Sequence, residues 1–319
     1  SLQAYGWAME RTDTPDQAPS WGITLMVLAV TVFTVMSAFI KAADRVPAGE
    51  AMFFRAFFTL PVIAIWLAWR GDLMTGIRTD SLRSHAVRGI AGSCAMGLGF
   101  AGLKYLPLPE VTAIRFVTPV VMLILAALLL GERLRMVRIS AVTVGLVGVV
   151  IIVWPRLSAG SDSAEAFGAI IVLGSACLAA LAQVFVKSMA GRESTAAIVF
   201  YFALTATVLS LVTLPFGWVW PTWAEAALLV GAGVVGGIGQ ILLTSSYRFA
   251  EAGVLAPFTY VSMLWSIIIG YVWFLEIPTP QMLFGAGLII MAGVIIVYRE
   301  RQLGTQKTAR RKVEAKGIQ

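Results

Sequence analysis

The 319 residues are 59% hydrophobic and only 13% charged, which leaves too little polar surface to cover a water-soluble globule of this length. A mean hydropathy of +0.85 assigns the chain to lipid. Its apolar runs are continuous rather than alternating, so membrane helices are expected and a β-barrel is excluded.

Residues 1–20 are polar, hold Glu10, Arg11, Asp13 and Asp16, and lack the pattern of a cleavable leader, so the first apolar run reads as a retained helix after a cytoplasmic N-terminal segment. Ten apolar spans follow, at 21–41, 49–69, 84–104, 109–130, 136–154, 167–187, 195–215, 224–247, 252–275 and 281–298. Span one carries Ser37 and closes on Phe39-Ile40-Lys41; span two carries Arg55. His85 stands at the start of span three, where a surface imidazole is expected, ahead of Ser93, Cys94, Gly97 and Gly102. Span four holds Arg115 and Pro119, and Pro119 removes the N–H that would bond the Arg115 carbonyl. Span five contains Gly145 and Gly148, and a polar linker at 155–166 divides the chain. Cys177 and Gln183 precede Phe185-Val186-Lys187 at the end of span six; both cysteines read as buried small hydrophobes. Span seven carries Tyr201 and is followed by Trp218, Trp220 and Trp223, an aromatic belt. Span eight contributes Gly231, Gly236, Gln240, Ser245 and Ser246; span nine contributes Pro257, Tyr260, Ser262 and Trp265; span ten contains Gly285, Gly287 and Gly293. Residues 299–319 form a basic tail, which reads as a solvated segment near anionic lipid rather than a nucleic-acid site.

The spans form two similar sets of five. Lys41 recurs as Lys187, Tyr105 as Tyr247 and Glu132 as Glu276, while the end of span five (Gly148 to Trp154) is echoed from Gly293 to Tyr298. An odd number of spans per copy places the second copy upside down in the membrane, so the fold expected is an all-α membrane protein of ten transmembrane helices in two inverted five-helix halves, 21–154 and 167–298, joined by an external linker. With alternating loops, 18 of the 24 basic residues fall on one side, Arg70, Arg78, Arg83, Arg88 and Lys187 among them, so both termini are expected in the cytoplasm.

All 17 acidic residues fall in tails, in loops or near span ends, so no intramembrane proton or sodium carboxylate is evident and passive flux is expected. Arg55 and Arg115 lie about two turns inside spans, where each either snorkels or draws a substrate carboxylate into a wet cavity; Arg115 is the stronger candidate. The substrate-binding candidates are Ser37, Ser93, Arg115, Gln183, Tyr201, Gln240, Ser246, Tyr260, Ser262 and Trp265. Gln183 and Gln240 stand out because a primary amide in hydrocarbon needs partners at both ends. Gly97, Gly102, Pro119, Gly236 and Pro257 are the hinge candidates. Gly97-Leu-Gly-Phe-Ala-Gly102 and Gly231-Ala-Gly-Val-Val-Gly236 match a dinucleotide fingerprint, but both lie inside apolar helices with no strand before them. No cofactor, metal site or catalytic constellation is expected.

Lys41 and Lys187 at helix ends, Leu130-Gly-Glu-Arg-Leu134, Ala256-Pro-Phe-Thr-Tyr260 and Phe274-Leu-Glu276 together resemble the drug/metabolite transporter superfamily, specifically its EamA family, over roughly residues 20 to 300. The second half departs from the pattern with Leu-Glu-Ile-Pro in place of Gly-Glu-Arg-Leu. This resemblance implies an exporter of amino acids, neutral and aromatic ones favoured, in a bacterial inner membrane, working by alternating access as a monomer or homodimer. Drugs, nucleobases or other metabolites are the alternative cargo.

Overall fold

In hydrocarbon each backbone N–H must be paired within its own segment, and the apolar runs accordingly coil into helices. The computed structural model describes residues 18–72, 76–130, 136–157, 163–189, 192–250, 255–291, 294, 295 and 298, and no strand occurs among them. The Leu130 to Leu134 motif beyond its first residue, the side chain of Lys187, Gly293 and the tail from 299 lie outside the described residues.

The helices are α1 (Ala18–Ala42), α2 (Ala48–Phe57), α3 (Thr59–Arg70), α4 (Leu82–Gly102), α5 (Leu108–Arg115), α6 (Val117–Leu130), α7 (Met136–Leu157), α8 (Ser163–Met189), α9 (Thr195–Leu211), α10 (Trp223–Phe249), α11 (Val261–Phe274) and α12 (Pro280–Met291). Among the described residues four stretches are long and apolar enough to cross a membrane: Ser20–Ala42, Ala48–Arg70, Ser163–Val186 and Trp223–Phe249. Large apolar side chains lie exposed around the outside, including Ile65, Trp69, Leu128, Trp154, Val272 and Trp223, a surface that lipid satisfies and water does not. The chain is an integral membrane protein.

Two helices break at the same kind of place. Phe58 separates α2 from α3, and Phe116 separates α5 from α6; a proline follows three residues later in each case, at Pro61 and Pro119. A proline lacks the N–H owed to the carbonyl four residues back, so each helix is loosened just past Arg55 and Arg115. Near the first break the Thr59 hydroxyl donates to the Arg55 carbonyl at 2.9 Å.

Packing is reciprocal. α1 lies along α10 and α4 along α8, the two most extensive helix contacts; α9 packs on α4 as α2 packs on α10, and α6 meets α8 as α11 meets α1. Small residues permit this closeness: a Cβ added at Gly233 would stand 2.7 Å from the Phe54 carbonyl oxygen, and one at Gly148 would stand 2.7 Å from the Gly285 carbonyl oxygen. One apolar core runs through most of these helices, from Met36 and Met52 to Met263 and Ile289, while Ile63 and Leu67 of α3 pack in a separate cluster with α9.

Charged loop residues fasten helix ends. At the start of α10, Thr222 and Glu225 form a capping box, and the Arg45 Nε lies 3.0 Å from Glu225 Oε1. Lys41 donates to the carbonyls of Leu103 and Leu106 at 3.1 and 3.0 Å and pairs with Glu276 at 2.9 Å. The other oxygen of Glu276 accepts the Leu108 N–H at 2.9 Å, at the first residue of α5.

His85 corrects the expectation of a surface imidazole. It is 2% exposed, because α4 begins earlier than its apolar run and turns this residue inward, 3.5 Å from Glu193 and with its ring 4.8 Å from that of Tyr201. Burial alone would raise the Glu193 carboxyl, but the Thr79 hydroxyl, the Asp80 N–H and His85 outweigh it and hold the group below the usual carboxylate range. A lowered carboxyl stabilises the fold at pH values above its unfolded range, and that contribution is lost as pH falls through the folded value. Glu193→Gln should therefore melt earlier than the parent chain near neutrality, with the gap closing toward acid pH; a gap independent of pH contradicts this. Cys94 and Cys177 are a second correction. Both lie on helices but are exposed on the outer surface.

Candidate functional site

Between the two sets of helices lies a cavity of about 310 Å³. Its wall is drawn from α1 (Phe33, Met36, Ser37), α2 (Arg55), α4 (Arg88, Gly92, Met96, Phe100), α5 and α6 (Thr112, Arg115, Phe116, Pro119), α8 (Gln183, Val186), α9 (Phe202), α10 (Gln240, Tyr247) and the turn into α11 (Thr259, Ser262). Aromatic and methionine side chains give it an apolar body, and a few convergent polar groups interrupt it, as in a small-molecule site.

Three arginines dominate its electrostatics. Arg55 is 2% exposed and Arg88 is 5% exposed, and Arg115 is half-buried. The guanidinium carbons of Arg88 and Arg55 lie 3.8 and 5.2 Å from the centroid of the same ring, Phe202. Nε and Nη1 of both Arg55 and Arg88 have no hydrogen-bond partner among the described residues. No Asp or Glu is among the described residues of the wall.

Of the substrate-binding candidates, Ser37, Arg115, Gln183, Gln240 and Ser262 meet at this cavity, together with the hinge candidate Pro119. The others stand elsewhere. Trp265, 37% exposed, faces outward from α11. Tyr201 packs on His85, and Tyr260 meets the edge of Phe116 with ring centroids 5.0 Å apart, touching a wall residue without being one. The Ser246 hydroxyl is spent on the Leu243 carbonyl at 2.7 Å, and Ser93 is buried in helix packing. Gly97 faces Met52 and Gly102 faces Val172. At Gly236 the missing side chain makes room for Arg55, since a Cβ there would come within 3.1 Å of the Arg55 Nε. Pro257 belongs to the short 3-10 turn Ala256–Tyr260.

Arg88 and Phe202 escaped the sequence reading. The charge count groups Arg88 with the cations of one side although it lies within span three; the structure corrects this, because α4 starts at Leu82 and holds Arg88 buried nearly two turns inside. A signal was present: His85, Arg88, Gly92, Ala95 and Gly99 follow helical spacing, and all five are buried on one face.

The EamA-like transporter family matches the chain twice, at residues 20–154 and 166–299, and solute carrier family 35 matches residues 104–219. A pseudopaline exporter of Pseudomonas aeruginosa is 30% identical over 280 residues, covering 86% of this chain and 95% of its own. An S-adenosylmethionine uptake transporter of Rickettsia bellii is 29% identical over 283 residues, covering 89% and 94%. One protein of solved crystal structure aligns with 89% of this chain and 99% of its own at a TM-score of 0.67 and 19% identity, a likeness of fold alone.

Proposed function

Since the chain belongs to the EamA-like transporter family, a transporter of small metabolites and not an enzyme, we propose that it exports amino acids or amino-acid-derived metabolites by alternating access. The observation that carries this reading is the arginine-lined cavity between the two sets of helices, because a guanidinium pairs bidentately with a carboxylate. Neutral aromatic amino acids, which the resemblance favours, fit it less well, since their zero net charge leaves the arginines uncompensated.

The architecture proposed is ten spans in two inverted halves, 21–154 and 167–298, with 155–166 outside and both termini in the cytoplasm. Its support is the double family match and the reciprocal packing, in which the most extensive contacts between the halves recur with the roles exchanged. The substrate site proposed comprises Ser37, Arg115, Gln183, Gln240 and Ser262, with Arg55, Arg88 and Phe202 added. Flexure at Pro119, and at Gly236 beside Arg55, supplies the hinge. Inward transport is the second reading, favoured by the likeness to an uptake transporter.

Counterflow in proteoliposomes tests the cargo. Amino acids and their carboxylate derivatives should exchange about tenfold faster than nucleobases or cationic dyes. Equal rates sink the assignment. The described wall holds no acidic residue to relay a coupling ion, so an imposed pH or sodium gradient should not drive accumulation; accumulation against the substrate's own gradient refutes passive flux.

A further inference from the structure

We propose that this cavity selects organic anions carrying at least two negative charges beside an apolar portion, in preference to zwitterions of zero net charge. The inference deepens the exporter reading and rests on it. Three guanidinium groups from three different spans converge on one cavity, Arg55, Arg88 and Arg115, and no carboxylate answers them among the described residues of its wall. Ion pairs elsewhere in the chain show that this sequence does place acids against bases where the fold needs them, as at Lys41 with Glu276 and Arg45 with Glu225. Among the described residues of the cavity wall it does not.

A guanidinium remains charged at any physiological pH, and moving it out of water without a counter-charge is strongly unfavourable. The Phe202 ring compensates Arg55 and Arg88 only in part, because both lean on the same ring and repel each other across it. Their Nε and Nη1 donors still lack acceptors among the described residues. The missing acceptors and the missing negative charge are both supplied by one kind of ligand. One carboxylate accepts a bidentate fork from one guanidinium, so a single carboxylate leaves the other two arginines unanswered. Two carboxylates on one molecule, or one phosphate dianion with its three accepting oxygens, answer two arginines at once. Phe33, Met96, Phe100 and Phe116 around the same space provide for the carbon skeleton between them. Carboxylates and phosphates share the required chemistry, and the test separates them.

The full chain, reconstituted in proteoliposomes, is offered N-acetylglutamate and citrate as polycarboxylates, phenyl phosphate as a phosphate dianion, phenylalanine as a zwitterion and inorganic sulfate as a bare anion. At least one organic polyanion should exchange about tenfold faster than phenylalanine. Arg88→Gln and Arg55→Gln should each lower that ratio several-fold, with Arg88→Lys falling between, whereas Arg70→Gln, outside the cavity and over the Trp66 ring, should leave it unchanged. Thermal melting of each variant in detergent checks that it is folded, and melting of the parent chain with each solute gives a second readout that needs no flux. Phenylalanine matching or exceeding the polyanions overturns this inference and leaves the amino-acid exporter standing. A ratio indifferent to Arg55 and Arg88, or stabilisation by sulfate equal to that by every organic anion, also overturns it. If no solute is exchanged, the exporter reading fails, and the melting shifts alone decide: selective stabilisation by an organic polyanion upholds the inference, and its absence ends it.

Discussion

Lys41→Met is expected to destabilise the protein by about 2 kcal/mol, because it strips a charge from a junction of three segments. Lys41 sits at the end of α1, where its ammonium satisfies the carbonyls of Leu103 and Leu106 just past the end of α4, groups that no helical N–H can reach. A cation there also opposes the negative end of the α4 dipole. Glu276 completes the arrangement by accepting the Leu108 N–H at the positive end of α5. Each side chain is 15% exposed, so water softens the loss of a partner without removing it; the figure therefore lies below the roughly 3–5 kcal/mol of a fully buried pair. Glu276→Gln should cost about 1 kcal/mol, since an amide oxygen still accepts from Leu108. The double variant should lose less than the sum of the two, because the same contact is removed twice. Thermal melting of the four proteins measures this, and strict additivity contradicts a direct coupling.

Gly233→Ala is expected to cost about 2 kcal/mol, and Gly233→Leu more. At this point α10 runs against the end of α2 so closely that a new Cβ would lie 2.5 Å from the Phe58 Cβ and 2.7 Å from the Phe54 carbonyl oxygen. Backbone cannot turn aside as a side-chain tip can, so the helices must separate and the bond from Thr59 to the Gly233 carbonyl, now 3.2 Å, must stretch. Arg55 stands one turn before Phe58 and would move with α2. Gly287→Ala is the control, since no described residue lies within 4 Å of its missing side chain. A Gly233→Ala protein as stable as Gly287→Ala removes the argument for close packing at this seam.

Helix existence was legible in the sequence because hydrocarbon leaves the backbone few choices, and continuous apolar runs announce themselves without tertiary information. Which side of a helix faces inward was much less legible. Trp265 and Ser262 stand three residues apart on α11, yet one faces outward and the other lines the cavity. Amphipathic contrast, the usual guide, disappears when both lipid and core are apolar. The exposure of Cys94 and Cys177 is hidden from the sequence by the same ambiguity: a small apolar side chain suits lipid as well as it suits a core. Arg88 lies inside span three, yet with Arg83 and His85 beside it a base near a span end reads as one more cation of the adjoining surface rather than as a wall residue. The loosening of α5–α6 at Pro119 could be read locally, because a missing N–H is a covalent fact. Convergence of Arg55, Arg88 and Arg115 on one space could not, because it is a property of three helices at once.

The two exposed thiols have a practical corollary. Cys94 on α4 and Cys177 on α8 belong to neighbouring helices from different halves of the chain, and neither contributes to the core. They are thus native attachment points for a pair of nitroxide probes, and the interspin separation would act as a ruler that reports relative displacement of the halves during turnover.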